Sequence, residues 1–117
     1  MIHDMLYEAA WHARISRVFS GALRIWGVSG TVRRDPDDAN GFVIAASTAS
    51  EIRIRHHTAA GWTMTRRDTV LGAQVPLDRH AGLPGVLRRL RDELAPDAPA
   101  GRLVISAQKL ERDFGAR

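Results

Sequence analysis

Cysteine is absent from this chain of 117 residues. Disulfides, zinc–thiolate sites and cysteine nucleophiles are excluded together. Lysine is nearly absent too, since Lys109 stands against sixteen arginines among the seventeen basic residues. Aromatics are sparse at 6%, with one tyrosine, three phenylalanines and three tryptophans. No apolar run approaches the roughly 18 residues of a membrane span. The opening Met1-Ile2-His3-Asp4-Met5-Leu6 has neither the basic lead nor the apolar stretch of a secretory signal, so the expected location is the cytoplasm. Catalytic motifs are missing as well. There is no Gly-x-Ser-x-Gly elbow, no His-x-x-x-His pair and no Gly-x-Gly-x-x-Gly turn.

What is present is globular in composition, with 44% hydrophobic and 26% charged residues. Such a chain lies far from the disordered class, and its length suits one domain over 1–117. The formal charge of +4 is spread unevenly. Residues 1–40 hold five basic and five acidic groups, whereas residues 41–67 hold four arginines and only Glu51.

Tyr7, Trp11, Ile15 and Val18 recur at helical spacing, which predicts a helix over His3–Phe19 with a stop at Ser20-Gly21. Residues 14–19 also fit a strand. Leu23 to Arg34 reads as one long bent strand interrupted by Gly27 and Gly30. Asp35 to Gly41 is turn chemistry, and Phe42 to Ala46 an unbroken apolar strand. Glu51–Thr58 and Trp62–Thr69 form a hairpin around Ala59-Ala60-Gly61. Val70–Leu77 suits a further short strand. Leu83–Leu94 is a second helix with Pro84 near its start and Pro96 after its end. Leu103-Val104-Ile105 suits a late short strand. The fold class is α+β: an antiparallel sheet of four to five strands, with helices packed on one face. The expected core holds Trp11, Ile15, Ile54, Trp62, Leu87 and Leu90.

The acidic loop is not an EF-hand, because Pro36 falls where the first ligand would stand, so it reads as a solvated turn. His56 and His57 are strand neighbours pointing to opposite faces, so they share no metal. No metal or cofactor is expected. On the second helix, Arg88 with Asp92 and Arg89 with Glu93 are spaced to pair along the surface.

Alternation puts Ile52, Ile54, His56, Trp62 and Met64 on one hairpin face. It puts Glu51, Arg53, Arg55 and His57 on the other, with Thr63, Thr65 and Arg67. A loop at 59–61 sets Arg53 directly opposite Arg67, a like-charge pair that destabilises the strands unless an anion is near. That anion is Glu51, diagonal to Arg67, or a carboxylate from elsewhere in the fold, or else an anion or acidic partner held by the arginines. Replacing both arginines by threonine would then leave stability unchanged or raise it.

These residues favour a small non-enzymatic interaction protein that docks a protein partner, or itself, through the sheet and the amphipathic first helix. A homodimer is expected, because residues 42–46 are apolar on both sides. The alternative is nucleic-acid or anion binding through the basic face at Arg53, Arg55, His57 and Arg67. A small hydrolase or transferase using His57, with Asp68 on the same sheet, ranks last. The helix–strands–helix order resembles double-stranded-RNA-binding domains in outline. Their lysine-rich start of the second helix is replaced here by Leu83-Pro84-Gly85-Val86, so no residue role carries over.

Overall fold

In the computed structural model, residues 2–46 and 49–98 are described, with side chains from Ala9 onward. The elements follow as α1 (Ile2–Ile25), β1 (Thr31–Arg34), β2 (Gly41–Ala45), β3 (Ser50–His57), β4 (Gly61–Asp68), β5 (Gln74–Pro76) and α2 (Leu83–Leu94). The five strands form one antiparallel meander in sequence order. Both helices pack on the same face of it, giving the expected α+β layering. The late strand expected at Leu103–Ile105 lies outside the described residues. None of the described helices is long and apolar enough to cross a membrane.

The first helix differs from its sequence reading. It does not stop at Ser20-Gly21 but continues to Ile25, and residues 14–19 are helical. Trp11, Ile15, Phe19, Ala22, Leu23 and Trp26 are all buried, so the apolar stripe runs unbroken past the glycine. Burial of that stripe outweighs the weaker helix propensity of Gly21, which is about 1 kcal/mol below alanine. The true stop is Gly27, at φ 71°. There the Val28 N–H reaches the Leu23 carbonyl at 2.8 Å and the Gly27 N–H reaches Arg24 at 3.1 Å. That pair of bonds is a Schellman closure, and Val28 packs on the core beside Leu23 as the motif requires. The long strand expected from Leu23 therefore shrinks to Thr31–Arg34.

The helix α2 has the bounds its periodicity predicts, and Leu83, Val86, Leu87 and Leu90 are buried. All six expected core residues lie in one cluster. Of the two helix-surface pairs, Arg89–Glu93 forms at 3.0 Å. Asp92 is instead taken by Arg91 at 3.0 Å. Glu93 also accepts from Arg66 at 3.0 Å, which ties β4 to α2.

On β2, Phe42 and Ile44 face the helices. Val43 points the other way and is nevertheless 0% exposed. It lies between Arg33 and Arg53 in register, two long side chains that share its face of the sheet. The strand therefore needs no second copy to cover it, and the argument for a homodimer loses its basis.

His12 is buried on α1, and its Nε2 lies 3.0 Å from the Gly41 carbonyl. Burial pushes its pKa down, the Gly41 carbonyl pulls it up, and the Arg34 cation pushes it down, with a net lowering. His80 is lowered as well, first by burial. The unfolded chain therefore takes these protons first as pH falls. Their stabilisation is complete above about pH 6.5 and is lost as pH drops through the folded values. The melting temperature should fall between about pH 7.5 and pH 5, and His12→Gln should flatten part of that slope. An unchanged slope in the variant would show that His12 titrates alike in both states.

Candidate functional site

The β3–β4 hairpin turns one position earlier than its sequence suggests. The Ala60 N–H closes on the His57 carbonyl at 3.1 Å, and Gly61, at φ 82°, opens β4. The register is then His57 opposite Gly61, Arg55 opposite Thr63, Arg53 opposite Thr65 and Glu51 opposite Arg67. The slip is two residues, so every side chain keeps its face while every partner changes. The opposed Arg53–Arg67 pair does not exist. Arg67 faces Glu51 directly, with Nη1 3.6 Å from Oε1.

The outer face of the sheet is thus an ion network. Glu51 lies within 3.4 Å of Arg33 and 3.7 Å of Arg53, besides Arg67. Its side chain is 11% exposed. The second half of the network comes from the loop at 35–40. Antiparallel pairing sets Gly41 opposite Arg55 and so brings the loop against β3. Asp35 is fully buried there, with Oδ2 3.3 Å from Arg55 Nε. Asp38 lies 3.8 Å from the same nitrogen, and Asp37 lies 3.5 Å from Arg53. The loop is held by its own side chains, since Asp35 accepts the Asp37 N–H and Asp38 the Asn40 N–H, both at 2.9 Å. It is therefore not a purely solvated turn. Asp35, Asp37 and Asp38 are the site residues that sequence reasoning missed.

Four arginines thus meet four carboxylates, and the positive excess of residues 41–67 is cancelled locally. Within this network a groove of about 310 Å³ stays open. Arg53, Arg55, His57, Thr63, Thr65 and Gln74 line it, and none of the four carboxylates does. Three of the four expected site residues are thereby brought together, and Arg67 stands outside. His57 is exposed, with Nε2 3.0 Å from the Thr63 hydroxyl. The Arg53 Nε is buried without a hydrogen-bond acceptor, so that guanidinium is held by charge at 3.5–3.7 Å and not by close bonds.

Asp68 does not join His57. It sits opposite Ser50, at the far end of the hairpin. Its Oδ1 accepts the Leu71 and Val70 N–H groups, each at 2.8 Å, and these bonds hold its carboxyl below the usual value. The hydrolase reading thereby loses the group that would orient His57. Among the described residues, no group of three or more His, Asp or Glu side chains is placed to hold a metal. Comparison with protein-family models, curated proteins and solved structures finds no match.

Proposed function

We propose that the chain is a non-enzymatic interaction domain that docks an acidic segment of a protein partner on the open face of its sheet. The observation that carries this reading is the groove, whose six lining residues all bear hydrogen-bond donors and include two arginines. An acceptor-rich side chain such as a carboxylate suits that donor set. Its charge is felt only at short range, because the surrounding carboxylates balance the arginines.

That balance disfavours the nucleic-acid reading. A polyanion is gathered by uncompensated charge, and single strands are held by stacking on aromatic rings. Here Trp11, Trp26, Trp62, Phe19 and Phe42 are all buried in the core, so no described tryptophan or phenylalanine reaches the groove.

The test fills the groove while leaving every charged residue of the ion network in place. Thr65→Tyr places a strand-compatible ring on the open face. Fluorescence anisotropy with a labelled, unstructured poly-glutamate peptide should show at least tenfold weaker binding to the variant than to the parent, with unchanged melting temperature. A duplex oligonucleotide should bind more weakly than the peptide, with no loss in Thr65→Tyr. Equal peptide binding by parent and variant, or none by the parent, overturns the reading.

A further inference from the structure

The acidic loop cancels the charge of the hairpin, so the positive excess lies elsewhere. Arg17 and Arg24 project from α1, are exposed, and have no ion pair among the described residues. Seven residues apart, they lie about 10 Å from each other along the helix axis. Gly21 stands between them, four residues after the first and three before the second. All three share the side of the helix opposite Ile15, Phe19 and Trp26.

Nothing among the described residues requires Gly21 to be glycine. It lies inside the helix, its φ is not positive, and nothing among the described residues comes within 4 Å of where a Cβ would stand. An interior helix glycine that serves neither a turn nor packing weakens the helix for no gain within the chain. It leaves a notch where another backbone can approach closely. Four residues beyond it, Ile25 is 66% exposed, one of four large apolar side chains left in solvent among the described residues. Arg17, Gly21, Arg24 and Ile25 therefore recur at i, i+4, i+7 and i+8, the spacing of a helix-docking strip.

We infer that this strip of α1 docks an acidic amphipathic helix of a protein partner. The partner's backbone crosses at Gly21, its carboxylates meet Arg17 and Arg24, and an apolar side chain covers Ile25. A second copy of the chain, docked strip to strip, would bring like charges together. A phosphate backbone would leave Ile25 uncovered. The strip lies on the helix side of the sheet and the groove on the other, so the inference stands independently of the groove.

The experiment measures folding and binding in the same variants. Gly21→Ala should raise the melting temperature by about 4 °C, because alanine is the better helix former. The probe is a labelled helical peptide with glutamate and leucine at helical spacing. By anisotropy, Gly21→Ala should bind it at least tenfold more weakly than the parent. Arg17→Ala combined with Arg24→Ala should fold normally and lose the peptide, and Thr65→Tyr should bind it as the parent does. Four results overturn the inference: equal binding by Gly21→Ala, a lowered melting temperature in that variant, no peptide binding by the parent at millimolar concentration, or preference for a duplex oligonucleotide. Loss of binding in Thr65→Tyr shows that the peptide sat in the groove, which also overturns it.

Discussion

Truncating Phe42 to alanine is expected to cost about 3–5 kcal/mol of folding stability. Phe42 is 0% exposed on the central part of the sheet, where the first helix crosses it. Its ring stacks on His12 at a centroid distance of 4.2 Å and meets Phe19 at 5.2 Å, Trp11 at 5.8 Å and Trp62 at 6.3 Å. Removal opens a cavity between two elements that cannot both collapse into it. Leu71→Ala is the control, because that side chain is 81% exposed at the β4–β5 turn and should change stability by less than about 0.5 kcal/mol. Urea denaturation measures both. A loss below about 1 kcal/mol at Phe42 would show that the helix and sheet do not share one core.

The second large effect belongs to Glu51. Replacing it with glutamine removes the carboxylate shared by Arg33, Arg53 and Arg67, and leaves three guanidinium groups around a neutral amide. Losing one partner of a fully buried pair costs about 3–5 kcal/mol. Arg33 and Arg67 are 51% and 39% exposed, so solvent screens part of the repulsion and about 2–3 kcal/mol is expected. Added salt should restore some of that loss. The same geometry reverses the sign for Arg53→Thr combined with Arg67→Thr. An opposed like-charge pair would make that variant at least as stable as the parent. With Glu51 facing Arg67, it is less stable, because Glu51 keeps only Arg33.

The hairpin shows what the sequence can and cannot disclose. Alternation places Arg53, Arg55 and His57 on one face with Thr63 and Thr65, and a register slip of two leaves that assignment intact. Pairing across the strands depends on where the turn closes. Gly61 fits the end of a loop at 59–61 as well as it fits the first residue of β4. The acidic loop was legible as a turn from Pro36, the aspartates and Gly41. Its hold on Arg53 and Arg55 was not, because it follows from the pairing of Gly41 with Arg55, a contact between segments far apart in the chain.

The two helices make a similar contrast. The second is legible to the residue, because Pro84, the leucine stripe and Pro96 agree with one another. The first carries a local stop signal at Ser20-Gly21 that its own buried stripe overrides. That conflict is also what singles out Gly21, since nothing among the described residues calls for a glycine inside the helix.

The central claim is that an acidic partner binds on the open sheet face, in the groove between β3, β4 and β5. The most direct measurement is an amide chemical-shift map of the ¹⁵N-labelled chain during titration with the unstructured poly-glutamate peptide. The account predicts shifts that cluster at Arg53, Arg55, His57, Thr63, Thr65 and Gln74. Shifts confined to other residues, with these six unmoved, would contradict it.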